Sequence, residues 1–169
     1  MKKRAEKVAT TKDDTRREEG HLKGRGKIKA ISISKEKGTK KVNVPEAEFR
    51  TDFGIEGDAH AGNTHRQVSL LGAESIDKMI EKGANVAPGS FAENITTEGI
   101  DLLALKVGAK LKLGEDVELQ ITQFGKKCHS HCEIFEQVGD CVMPREGVFA
   151  KVIRAGRLRV GDIIEVLDD

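Results

Sequence analysis

The sequence predicts a mainly β protein with one or two helices, closed into a small β-barrel, and three observations lead there. Short runs of β-branched and large apolar residues alternate with polar ones along most of the chain. Glycines stand at most corners between these runs. Only one segment carries a clear helical period. A chain of 169 residues is long enough to bury one core without staples, and closing a barrel removes exposed strand edges.

Taken in order, residues 1–26 offer only Val8 and Leu22 as large apolar side chains after Met1, so no core-facing stripe forms. They are expected to be a disordered charged tail, with the barrel domain occupying residues 27–169. Ile28-Lys29-Ala30-Ile31-Ser32-Ile33-Ser34 predicts a strand, residues 35–41 a hairpin turn, and Lys41-Val42-Asn43-Val44-Pro45 the returning strand. Residues 54–62 form a glycine-bearing loop, and Val68-Ser69-Leu70-Leu71 a short buried strand. Residues 72–82 form the helix, with Ile76, Met79 and Ile80 at i, i+3 and i+4 and Gly83 closing it. Residues 91–95 are expected as a strand and Leu102-Leu103 as a short turn. Residues 110–114 and 117–121 alternate with period two and pair across Gly114-Glu115-Asp116. Residues 147–155 fit either strand or helix, and residues 157–166 read as a closing hairpin turning at Gly161-Asp162.

Composition excludes several functions. Charged residues make up 34% of the chain and hydrophobic ones 37%, and no run approaches the ~18 apolar residues of a membrane span. The N-terminus lacks the apolar stretch of a secretory signal, which predicts a cytoplasmic protein with reduced thiols. The net charge of +1 divides into +4 over residues 1–26 and −3 over the rest. The domain therefore has no broad basic footprint for nucleic acid.

Three cysteines, Cys128, Cys132 and Cys141, crowd into fourteen residues. An odd number in a reducing compartment argues against a disulfide framework and for a metal site, a nucleophile or a sulfur carrier. Zinc is one reading of Cys128-His129-Ser130-His131-Cys132, but the second ligand pair it needs is absent, leaving only the distant His60 and His65. Alternatively one thiolate works alone. Cys128 follows Lys126 and Lys127 and precedes His129, an electropositive setting that favours the thiolate, so it should be the most reactive of the three. Cys141, beside Val142 and Met143, suits a buried small hydrophobe.

Two further stretches are candidates. Gly57-Asp58-Ala59-His60-Ala61-Gly62 turns tightly, and its Asp58 and His60 serve either a ligand or the turn's own backbone. Gly89-Ser90-Phe91-Ala92-Glu93-Asn94 places a carboxylate and an amide after a glycine turn, where Glu93 and Asn94 line a polar pocket or cap an internal network.

The ordered set formed by these two stretches, Gln67-Val68-Ser69-Leu70, Leu105-x-Val107-Gly108, the cysteine loop at Cys128 and Gly161-Asp162 resembles the MOSC domain, the C-terminal domain of molybdenum-cofactor sulfurases. The resemblance runs from about Lys27 to the end. It implies a β-barrel whose cysteine, here Cys128, either carries sulfur as a persulfide or ligates molybdenum in a bound pterin cofactor. A thiolate is the soft ligand such chemistry requires. It also implies cofactor contacts at Asp58, His60, Glu93 and Asn94, with Arg66, Lys127 and Arg145 as candidates for the cofactor's phosphate. Some relatives reduce N-hydroxylated compounds and others transfer sulfur. Full sulfurases carry a pyridoxal-phosphate domain for which this chain has no room, so a separate sulfur-donor protein would be the partner. With no Trp or Tyr to stack on a pterin, transient binding is favoured. The alternative is a non-enzymatic thiol or zinc-binding module.

Overall fold

A computed structural model of the chain describes residues 24–37, 39–62, 65–127 and 133–167. Residues 1–23 of the tail expected over residues 1–26, and the segment Cys128 to Cys132, lie outside the described residues. The first strand, β1 (Arg25–Ile33), starts two residues before the expected boundary. β2 (Val42–Val44) returns beside it as the sequence predicts, with Ile31 opposite Val44 and Ile33 opposite Val42. β3 (Glu46–Arg50) and β4 (Gly54–Ile55) follow, then β5 (Val68–Gly72), the helix α1 (Ala73–Glu81) and β6 (Ile95–Glu98). A 3₁₀ turn at Leu102–Ala104 leads to the hairpin of β7 (Lys110–Leu113) and β8 (Val117–Phe124). Two short helices, α2 (Glu133–Val138) and α3 (Met143–Glu146), precede β9 (Val148–Arg154), β10 (Gly156–Arg159) and β11 (Ile163–Leu167).

Seven strands close a barrel in the order β1-β11-β7-β8-β9-β5-β6 and back to β1, with β2 added beside β1. All neighbours run antiparallel except β5 and β6. That pair is parallel because α1 supplies the crossover connection that parallel strands need. β10, β3 and β4 form a separate three-stranded sheet.

Three expectations are corrected. The strand over residues 91–95 begins only at Ile95, because the Glu93 carboxylate accepts the N–H groups of Gly89 and Phe91 and so coils the preceding residues into a loop. Residues 157–166 are not a hairpin: β10 pairs with β3, while β11 pairs with β7 and β1. Ile80 is 48% exposed, so Ala73, Ser75, Ile76 and Met79 make the buried face of α1. Residues 147–155, ambiguous by pattern, are the strand β9.

Period-two alternation divides the hydrophobic residues between two cores. Inside the barrel lie Ile28, Ile31, Leu70, Leu111, Leu119 and Ile121, all essentially without exposure. Each contributes about 1.5–3 kcal/mol of transfer free energy. Leu71 and Phe149 instead join an outer cluster with Ile76, Met79, Phe91, Ile134, Cys141 and Met143. No helix among the described residues is long and apolar enough to cross a membrane.

Candidate functional site

Against the outer cluster lies a cleft of ≈ 640 Å³. Its apolar surface comes from Phe91, Ala92, Ile134, Cys141 and Met143, and its polar surface from Thr39, Lys40, Ser90, Lys126 and Glu133. Lys40 and Glu133 approach to 3.7 Å, and both are exposed, so the ion pair adds little stability. Lys126 and Glu133, which bracket residues 127–132, both line the cleft.

Close backbone approaches build the walls. Gly125 has φ +67, and a Cβ there would meet the Pro144 carbonyl oxygen at 2.2 Å. Its N–H donates to Gly147 O at 2.7 Å, which seats the start of the cysteine segment against α3. Opposite, Gly89 has φ +96, and a Cβ there would meet Lys41 O at 2.5 Å. Ala92 adopts φ 62, a left-handed conformation that costs a non-glycine residue free energy and persists only when its surroundings impose it. Here the Ala92 N–H donates to Gly89 O at 3.0 Å and its carbonyl accepts from Ser69 Oγ at 3.3 Å.

Glu93 and Asn94 stand behind this wall with no exposure. Glu93 accepts from Gly89 N at 3.0 Å, Phe91 N at 3.1 Å and Thr96 Oγ1 at 2.9 Å. Burial pushes its carboxyl up from the ordinary value despite these bonds. Asn94 Oδ1 accepts from Ser69 N at 3.0 Å, and its Nδ2 donates to Ser32 O at 3.1 Å, tying β1 to β5. Both side chains thus shape the wall from within.

Asp58 and His60 converge with a residue that the sequence reading assigned to a strand end. The Lys41 ammonium donates to Asp58 Oδ1 at 2.7 Å, to Ser34 Oγ at 3.0 Å, and lies 3.0 Å from His60 Nδ1. The Lys41 and Asp58 side chains have no exposure, while His60 keeps 25%. Asp58 also accepts from Ser34 N and from His60 N, each at 3.1 Å. Burial acts to raise the Asp58 carboxyl. The Lys41 ammonium and the Ser34 N–H outweigh it and hold the group well below the usual carboxylate range. Nothing in the lysine-rich stretch Lys35, Lys37, Lys40, Lys41 marks Lys41 as the one that is buried.

The cationic candidates separate. The Arg66 guanidinium lies 5.9 Å over the Phe149 ring, and its buried Nε has no hydrogen-bond partner among the described residues. Phe149 belongs to the outer cluster, which also contributes Phe91, Ile134, Cys141 and Met143 to the cleft, but neither Phe149 nor Arg66 lines it. Lys127 is exposed, next to Lys126. Arg145 is committed elsewhere, donating to Asp140 Oδ1 at 2.8 Å and Oδ2 at 3.1 Å. Asp140 also accepts from Lys82, and these two cations hold it far below the usual range. Its charge beside Cys141 is therefore offset, and burial in the outer cluster is what shields that thiol. Cys128 lies outside the described residues.

These features can receive a partly apolar, planar ligand carrying an anionic group. No curated protein matches the chain. Its fold is similar to that of YuaD from Bacillus subtilis, at 21% identity and a TM-score of 0.70, covering 84% of this chain and 95% of that one. It is also similar to YiiM from Escherichia coli (20% identity, TM-score 0.59, 85% and 70% covered). YiiM from Geobacillus stearothermophilus gives 16% identity and a TM-score of 0.62, with 85% and 75% covered. Residues 56–165 match the MOSC domain, and the chain belongs to that family.

Proposed function

We propose that this protein binds the pterin-based molybdenum cofactor in the cleft and supplies Cys128 as its thiolate ligand. The observation that carries the reading is the pairing of an apolar floor with two lysines at the rim of the cleft, one of them just before the Cys128 segment, while Glu133 just after it pairs with Lys40. Phe91, Ile134 and Met143 offer surface to a flat ring, and Lys40 and Lys126 line the same opening. Arg66 supports it, because a buried Nε without a partner among the described residues is a donor open to an acceptor, and guanidinium suits phosphate. Lys127 lies beside Lys126, whereas Arg145 would have to release Asp140 to take part.

When bound, the cofactor supplies redox chemistry at molybdenum and a site to which sulfur can be attached. The chain's own residues orient it and exclude water. Glu93 and Asn94 hold the wall that carries Ser90, Phe91 and Ala92 to the cleft. A single soft thiolate is a sufficient protein ligand for a metal otherwise held by the pterin. No group of three His, Cys, Asp or Glu side chains among the described residues could hold a metal ion by itself. Of the two histidines a zinc site would borrow, His60 meets Lys41 through Nδ1 and His65 meets Gln123 Oε1 through Nε2 at 2.8 Å.

Elemental analysis for molybdenum and zinc, with fluorescence of the oxidised pterin, tests this on protein made in a cofactor-competent host. Molybdenum and pterin present together, and both lost in Cys128→Ser, is the expected result. Zinc without pterin would overturn the proposal in favour of a thiol or zinc module.

A further inference from the structure

The Lys41–Asp58–His60 cluster has a consequence for the imidazole beyond cofactor contact. Lysine's ammonium has three N–H donors and no acceptor. In this structure those donors meet three acceptors: Asp58 Oδ1 at 2.7 Å, Ser34 Oγ at 3.0 Å and His60 Nδ1 at 3.0 Å. A proton on His60 Nδ1 would set two donors against each other at that distance. The Asp58 carboxylate does not rescue the other tautomer, because His60 Nδ1 stands 3.7 Å from Asp58 Oδ2, too long for a hydrogen bond. That oxygen already accepts the His60 backbone N–H.

We propose that Lys41 is a positioning residue that fixes His60 as an Nε2–H donor for an anionic oxygen, phosphate being the representative ligand. The ring keeps a quarter of its surface open, and its Nε2 has no hydrogen-bond partner among the described residues. Lys41 is itself rigidly placed. Its N–H donates to Gly89 O at 3.0 Å, which links the Gly57–Gly62 turn to the cleft wall, and Lys40, next in the chain, lines the cleft. His60 in this state cannot ligate a metal through Nδ1 without displacing Lys41. The choice of phosphate rests on the function proposed above, whereas the tautomer is a property of the chain alone.

Long-range ¹H–¹⁵N correlation spectra of histidine-labelled full-length protein, without cofactor, test it. Wild type should show His60 as the Nε2–H tautomer, and Lys41→Met should release a tautomer mixture. Lys41→Met/Asp58→Asn removes both buried charges and serves if the single variant does not fold. Inorganic phosphate should move the His60 Nε2 resonance in wild type, with binding roughly tenfold weaker once Lys41 is replaced. An Nδ1–H tautomer in wild type, or an unchanged one in both variants, overturns the positioning role. A phosphate titration that leaves His60 unmoved overturns the donor role. Protein from a cofactor-competent host that carries neither molybdenum nor pterin would instead count against the proposed function and leave the tautomer result standing.

Discussion

Lys41 Nζ stands 2.7 Å from Asp58 Oδ1, and neither side chain exposes any surface to solvent. The two residues join the end of β1, the Gly57–Gly62 turn and, through the Lys41 N–H, the Gly89 loop. A buried pair of this kind contributes little net stability as a pair but becomes costly when one partner is removed. Asp58→Asn should therefore lose about 3–5 kcal/mol in urea unfolding, because it strands a buried ammonium. The double variant Lys41→Met/Asp58→Asn should recover much of that loss. A double variant no more stable than the single one would show that the pair's geometry, rather than its charge balance, holds these segments.

The same carboxylate predicts a pH window. The folded-state pKa of Asp58 lies below its unfolded value, so its contribution is complete above pH ~4 and is lost as pH falls towards the folded value. The stability difference between wild type and Asp58→Asn should stay level from pH 7 to pH 5 and shrink only in stronger acid. Shrinkage already at pH 6 would contradict this assignment.

Glu93 carries the opposite sign. Burial raises its folded pKa, so its ionisation weakens the fold as pH climbs from the unfolded value near 4.5 through the folded one. Glu93→Gln removes the charge and should flatten that loss, but Gly89 N and Phe91 N bond different carboxylate oxygens, so its single amide oxygen keeps only one of the two bonds, at about 1–3 kcal/mol. Glu93→Ala leaves the Gly89 and Phe91 N–H groups without their acceptor, at about 1–3 kcal/mol for each such buried group. Equal losses in the two variants would mean that charge, not hydrogen bonding, maintains the loop.

Gly125 should tolerate no side chain. Its positive φ and the 2.2 Å approach of a Cβ to Pro144 O together predict that Gly125→Ala costs at least about 2 kcal/mol. Gly139 also has positive φ but open space around it, so Gly139→Ala should cost clearly less. Similar thermal shifts for the two would show that conformation alone, and not the close approach, makes Gly125 necessary.

Alkylation at pH 7 with limiting reagent should label Cys128 first and Cys141 last, read by peptide mass spectrometry. Lys126 and Lys127 precede Cys128, whereas Cys141 is 9% exposed within the outer cluster. Labelling of Cys141 ahead of Cys128 in metal-free protein would remove the electrostatic case for Cys128.

Local patterns in the sequence determined much of this molecule. The β1–β2 pairing, the β7–β8 hairpin and α1 are legible because period and turn chemistry act over a few residues. The two glycine stretches are legible for the same reason, since a tight turn needs glycine wherever it occurs. What the tertiary structure alone decided are relationships between distant segments. β10 and β11 look like a hairpin in sequence yet enter different sheets, because barrel closure pairs β11 with β1 and β7. Glu93 and Asn94 announce a polar site, but only packing shows their bonds running inward to residues 2 to 62 positions away in the chain. Lys41 carries no local mark at all. Its role follows from Asp58 and His60, 17 and 19 residues further on, since a buried ammonium requires acceptors and only the folded chain brings them within reach.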